Sequence, residues 1–291
     1  MTATIAPAKA STLQRIDQLL NKQIFFIVGC QKSGTTWVQR MLDGHPDIRC
    51  QGEGYFGPVL MPLLQQAIQA YNQRQKAGQK GLFTDSDLKD LLRTAVGLSF
   101  ARWVGDTDVK AIGEKTPEHA LCMNPLAECF PNAKFIHITR DGRDVCVSGW
   151  FHNQRKPGPD FNKRFPDLNT YIQYTVKQHW TPYIQHAQHF GQQHPQRYHE
   201  LRYEDLHNDP AGQTKKLLNF LGIDDSDPYT DACLAAGSFK NLTQGRTRGE
   251  EDKSSFFRKG VIGDWQNHFD QSNIATYNLA AGELPTKLGY K

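Results

Sequence analysis

Two glycines, one lysine and a cluster of hydroxyl residues lie together in Gly29-Cys30-Gln31-Lys32-Ser33-Gly34-Thr35-Thr36-Trp37. An apolar run, Ile24-Phe25-Phe26-Ile27-Val28, precedes them, and Trp37, Val38, Met41 and Leu42 follow at helical spacing until Asp43-Gly44 and Pro46. A strand, a glycine loop and a helix start present backbone N–H groups and the positive end of a helix to an anion. Phosphate binding is therefore the chemistry expected. A triphosphate site places lysine directly after the second glycine, in G-x-x-x-x-G-K-[ST]. Here Thr35 holds that place and Lys32 sits inside the loop. Such a lysine faces the phosphate joined to a leaving bond, not two phosphates bridged by magnesium, so the expected donor is not a nucleoside triphosphate. His186, His189 and His194 have a metal-like spacing but lack a nearby cysteine or carboxylate. They read as a solvated helix face, and no metal site is expected.

The elements that must position this loop follow from periodicity. Ile24–Val28 is too short for a helix and reads as a buried strand. Lys134–Ile138 and Tyr198–Arg202 repeat the pattern, the first followed by the polar turn Thr139–Asp144 and a helix, the second by a helix over Gln213–Leu221 that Gly222 ends. Further helical stretches are expected over Ser11–Asn21, Pro58–Gln75, Asp85–Phe100 and Tyr171–Gln192. Strands alternating with helices predict one α/β domain with a mostly parallel central sheet flanked by helices. Residues 1–20 read as a loose tail and short helix, residues 21–291 as the domain, and Asn241–Ser255 as a mobile surface loop.

Composition narrows the class. The 291 residues are 38% hydrophobic and 22% charged, with a net charge of +4; that suits a globular core and an anionic small ligand. No clustered basic face points to nucleic acid. No apolar run is long enough to span a bilayer, and no secretory signal is evident at the start, so neither a membrane nor export is expected. The six cysteines form no C-x-x-C pair. They read as reduced thiols of a cytoplasmic protein.

Three segments in order then carry a resemblance. Lys32-Ser33-Gly34-Thr35-Thr36-Trp37 after an apolar strand is similar to the 5′-phosphosulfate loop of sulfotransferases that use 3′-phosphoadenosine 5′-phosphosulfate (PAPS). Thr139–Ser148, with Arg140 and Ser148, resembles that family's 3′-phosphate segment. Phe257-Arg258-Lys259-Gly260-Val261-Ile262-Gly263-Asp264-Trp265 resembles the signature of its cytosolic branch, as do Tyr203-Glu204-Asp205-Leu206 and Ser238-Phe239-Lys240-Asn241. The likeness implies a sulfotransferase domain with a P-loop-like phosphosulfate loop, transferring a sulfuryl group from PAPS to a hydroxyl and releasing PAP without a metal. Lys32 and the N–H groups of Ser33–Trp37 would hold the phosphosulfate. Arg140, Ser148, Arg258, Lys259 and Gly260 would hold the 3′-phosphate. Trp37, Tyr203 and Phe239 would line the adenine site, and Ser238 would also contact the cofactor.

The same likeness places a catalytic lysine at Lys115. Where the cytosolic branch has Lys-Thr-His-x-Pro, this chain reads Lys115-Thr116-Pro117, so the expected histidine is missing and His119 is its nearest substitute. Met41–Glu53 resembles instead a stretch of the tyrosylprotein sulfotransferases, which implies Glu53 as the base. Glu53 ranks first, His119 second and Glu114 third. The acceptor is a small or conjugated molecule bearing a hydroxyl; Tyr55, Phe56, Phe151, Phe161 and Phe165 are compatible with an apolar or phenolic one. A kinase-like phosphotransferase, a non-catalytic PAPS or PAP binder, and a sulfation that leads to elimination are the competing readings. The oligomeric state is left open.

Overall fold

β1, Gln23–Gly29, sits at the centre of a five-stranded sheet because nearly every side chain in it is apolar and buried. Its alternate residues feed two cores. Phe26 and Val28 pack with Phe130, Phe135 and Phe190 on one face, whereas Phe25 and Ile27 pack with Trp37, Met41 and Leu217 on the other. A strand covered on both faces reads as a continuous apolar run, which is why parallel pairing follows from its composition. The computed structural model describes residues 11–75, 81–155 and 157–290. The expected tail over residues 1–10 lies outside them.

The other strands are β2 (Ile48–Gln51), β3 (Ala111–Lys115), β4 (Lys134–Thr139) and β5 (Tyr198–Arg202). Their order is β2-β3-β1-β4-β5 and every pairing is parallel. The sheet expectation holds, and β1, β4 and β5 lie where the strand candidates were placed. The chain leaves β1 towards β2 on one side and later returns to β4 on the other. That reversal opens a crevice beyond the carboxyl ends of β1 and β4, where open α/β sheets bind ligands.

Helices run over Thr12–Leu20, Asp85–Val104 and Pro210–Leu221, close to the predicted spans. The predicted Tyr171–Gln192 helix is broken into Leu168–Thr175, a π-turn over Val176–Trp180 and Thr181–Gln193. Pro182, which lacks an N–H, stands at the start of the last piece and accounts for the break. Residues 243–255 form no helix or strand. The guanidinium of Arg246 pins that loop by donating to the carbonyls of Glu250, Phe257 and Arg258.

Candidate functional site

A cavity of about 790 Å³ opens at the carboxyl edge of the sheet. Each strand delivers one chemistry-bearing side chain to it: Lys32 past β1, Glu53 past β2, Glu118 past β3, Arg140 past β4 and Tyr203 past β5. The volume falls within the range of small-molecule sites.

The glycine loop builds the first anion cradle. Gly34 has φ 103° and a Cβ there would meet the Tyr203 ring at 2.6 Å, so only glycine fits. Lys32 adopts φ 71°, a conformation that costs a non-glycine residue about 1–3 kcal/mol. Arg140 holds it there by donating to the Lys32 carbonyl at 3.2 Å. The Ser33 N–H donates to Cys30 and the Trp37 N–H to Gly34. The expectation that all N–H groups of Ser33–Trp37 serve an anion is therefore corrected: Gly34, Thr35 and Thr36, at the start of the helix Thr35–Leu42, remain for it. The Ser33 hydroxyl is buried and has no hydrogen-bond partner among the described residues, although Ser33 itself is not part of the cavity wall.

Charge at the cradle is lopsided. Burial lowers the Lys32 pKa, and the positive charges of Arg155, Arg140 and Lys115 lower it further, to about 7, against the opposing pull of Glu53. A lysine hemmed in by three cations is stabilised in its charged form by an anion brought among them.

The second cation cluster adjoins the first through Arg140. Arg140 donates to the Val261 carbonyl at 3.1 Å and stacks over Tyr203 at 4.2 Å. Its Nε is buried without a hydrogen-bond partner among the described residues. Ser148, on the helix Gly142–Arg155, faces the same space. Buried Asp144 draws the C-terminal segment in by accepting the N–H groups of Gly263 at 2.8 Å and Trp265 at 3.0 Å. This brings Arg258, Lys259 and Gly260 to the cavity wall. Arg258 and Lys259 both donate to Asp264. Burial would raise the Asp264 pKa, but those bonds and one from Asn267 hold it far below the usual carboxylate range. Gly260, at φ 68°, lies so close to Phe239 that a Cβ would meet its ring at 2.5 Å.

Trp37, Tyr203 and Phe239 are together. Trp37 meets Tyr203 edge-on at 5.3 Å and is fixed by an indole bond to the Gly237 carbonyl at 2.8 Å. Ser238 does not reach the cavity; it caps the short helix Phe239–Leu242 by accepting the Asn241 N–H. Arg248, which sequence reasoning missed inside a polar loop, stacks over Trp37 at 4.6 Å and donates to the Gly260 carbonyl at 2.9 Å.

At the remaining end, Glu53 accepts hydrogen bonds from the ammonium of Lys115 and the hydroxyl of Tyr55. Burial works to raise the Glu53 pKa, but these two bonds and the charges of Lys115 and Lys32 outweigh it, so the carboxylate titrates below its ordinary value. Lys115 lies behind Glu53, 5% exposed, and is not part of the cavity wall.

His119 and Glu114 are corrected as candidate bases. Both are 0% exposed and neither lines the cavity. The His119 Nε2 accepts the Gly57 N–H at 3.1 Å, and Glu114 accepts from Gly54 and Thr116. Glu118, another residue missed from sequence, does face the cavity and accepts from the Gln31 amide at 2.6 Å. Its only signal was its place just beyond Lys115.

Phe161, Phe165, Tyr171, Tyr174 and Phe256 wall this end with aromatic surface. Phe56 does not: it packs on Phe100 and Trp103 in the core. Phe151 is likewise removed from the cavity, beneath the Arg258 guanidinium at 4.7 Å. Among the described residues no group of three or more His, Cys, Asp or Glu side chains is arranged to hold a metal ion, and no helix is long and apolar enough to cross a membrane.

Residues 24–227 match the family model described as the sulfotransferase family. Human sulfotransferase 1C2 is 28% identical over 155 residues, covering 47% of this chain and 50% of that protein. The Drosophila melanogaster protein-tyrosine sulfotransferase is 27% identical over 236 residues, covering 80% of this chain and 44% of that protein. The chain thus spans about half the length of these curated relatives. A mouse sulfotransferase solved in complex with PAP has a TM-score of 0.59 at 20% identity, over 94% of this chain and 90% of that one; the likeness is one of fold.

Proposed function

Because this chain belongs to the sulfotransferase family, we propose that it moves the sulfuryl group of PAPS onto an acceptor hydroxyl and releases PAP. One observation carries the reading. Two groups of cations, Lys32 on its loop and Arg140 with Arg258 and Lys259, line one cavity together with a carboxylate, Glu53. PAPS is a molecule with two separated anionic ends. The 5′-phosphosulfate belongs on the glycine loop and the 3′-phosphate against Arg140, Ser148 and Arg258, with adenine beside Trp37 and Phe239.

In the reaction the acceptor oxygen attacks sulfur in line with the bond to the phosphate oxygen. The new S–O bond forms as the old one breaks, and its electron pair stays on the phosphate of PAP. Positioning and electrostatics do most of such work, by analogy with phosphoryl transfer. Lys32 neutralises the leaving phosphate oxygen, Lys115 adds its positive charge from behind Glu53, and Glu53 takes the acceptor proton. These cations come from the chain itself, so no divalent ion is needed. The aromatic walls favour an acceptor with a planar or apolar body, small or conjugated. Six free thiols, five of them buried, favour a reducing, cytoplasmic setting.

Calorimetric titration tests the donor. PAP is expected to bind far more tightly than ATP, with EDTA making no difference; ATP binding as tightly as PAP overturns the reading. The same titration reports on Lys32. Its pKa of about 7 leaves it mostly neutral at pH 8 in the free protein, and a bound phosphate raises that pKa. Binding at pH 8 is therefore expected to take up close to one proton, seen as a heat that differs between Tris and HEPES buffers. Identical heats remove Lys32 from the phosphate site.

A further inference from the structure

The six residues 114–119 meet the chain 53–57 at successive points. The Lys115 ammonium bonds the Glu53 carboxylate. Glu114 accepts the Gly54 N–H at 2.6 Å, the Thr116 hydroxyl accepts the Tyr55 N–H at 3.2 Å, and His119 Nε2 accepts the Gly57 N–H at 3.1 Å. Because Nε2 accepts, the neutral ring carries its proton on Nδ1. That nitrogen lies 3.0 Å from Glu114 Oε2, close though not well aligned for a hydrogen bond. The Thr116 hydroxyl donates to the other oxygen of Glu114.

Glu114 and His119 are expensive where they are. Both are fully buried, and His119 is wedged edge-on against Phe26 at 5.5 Å. Polar groups in such surroundings cost several kcal/mol unless bonded, and apolar side chains would fill the space without that cost. What the polar pair supplies is acceptors at fixed points for backbone N–H groups of the segment that carries Glu53. Among the described residues β2, four residues long, pairs only with β3, so the backbone just beyond it has no sheet partner there to fix it.

We propose that Glu114 and His119, with Thr116, are positioning residues: they clamp the backbone of residues 54–57 from beneath and thereby aim the Glu53 carboxylate into the cavity. The proposal rests on Glu53 being the proton acceptor. Glu53 is faced by Lys115 of β3, Tyr55 of its own segment and Lys32 of the glycine loop. The clamp keeps it in register with all three.

The test uses Glu114→Gln, which puts an amide donor where donors already converge, and Thr116→Val, which keeps the shape and loses the hydroxyl. The protein is labelled with 13C at glutamate carboxyls, and the Glu53 signal is assigned by its loss in Glu53→Gln. In the wild type that signal titrates below the ordinary glutamate range. In both variants its midpoint is expected to move up, because the bonds from Lys115 and Tyr55 loosen. With 35S-PAPS and a panel of simple phenols, kcat is expected to fall about 10- to 100-fold in Glu114→Gln, as misplacement of a reacting group by about 1 Å produces. PAP affinity should stay within about twofold. If Glu114→Gln fails to fold, Thr116→Val decides by the same readouts. An unmoved Glu53 midpoint, or kcat and PAP affinity falling together, overturns the clamp. An active Glu53→Gln enzyme would instead overturn the assignment of the base, and the clamp with it; an inactive one beside a fully active Glu114→Gln overturns the clamp alone.

Discussion

Glu53→Gln is expected to lower kcat by about 10²–10⁴-fold, the span typical of a lost general base, while PAP affinity stays within about twofold. Glutamine keeps the size of the side chain and an oxygen to accept from Lys115 or Tyr55, but it cannot take a proton. The donor's charges are met elsewhere, at Lys32, Arg140 and Arg258, so binding should be spared. Rapid-quench measurement with labelled PAPS and a confirmed acceptor separates the two effects. A loss below about tenfold hands the role to another group, with Glu118 the next carboxylate in the cavity wall. The sign of the pH dependence follows from the same environment. Glu53 titrates below its ordinary value, so the base is ionised throughout the neutral range and activity is lost only as acid pH falls through that lowered pKa. Lys32 acts at the other limb: kcat/KM for the donor, which reports the free enzyme, should decline as pH rises through about 7.

The glycine loop was legible because each oddity in it has a local cause. Gly34 answers a left-handed turn, and Lys32 displaced from the helix reports a different phosphate arrangement. β1 and β4 were legible as apolar runs between glycine or polar punctuation, and β5 only from its place before a helix. β2 and β3 were not. β2 alternates Ile48 and Cys50 with Arg49 and Gln51 over four residues, too few for a period to stand out. β3 ends in Glu114-Lys115, both buried, which a pattern of polar residues assigns to a loop. Their burial makes sense only once residues 53–57 lie over them. His119 was misjudged on the same account: its distance in sequence from Lys115 says nothing about which face of the turn Pro117–Leu121 it occupies, and it faces the core. Arg248 and Glu118 were invisible because their roles depend on what crosses over them, an indole face for one and the cavity for the other.

Lys115→Met carries the second large effect, and its pattern matters more than its size. The ammonium is nearly buried and has Glu53 as its bonded partner, so one substitution alters two groups. Losing the positive charge held against Glu53 is expected to cost about 10²–10³-fold in kcat, the scale of a removed electrostatic contribution to the transition state. Glu53 also loses its strongest proton-withholding contact, so its pKa rises and the acid limb of kcat moves up in pH. Lys32 loses one of the three cations that lower its own pKa. Its charged form then persists to higher pH, and the proton taken up on PAP binding at pH 8 should shrink. An exposed loop lysine would produce none of these three changes. In the double variant with Glu53→Gln the losses should fall well short of multiplying, since groups that act as a unit are not additive. Full multiplication would mean that Lys115 and Glu53 act independently, and a kcat loss under about tenfold with both pH signatures unmoved would separate Lys115 from the chemistry.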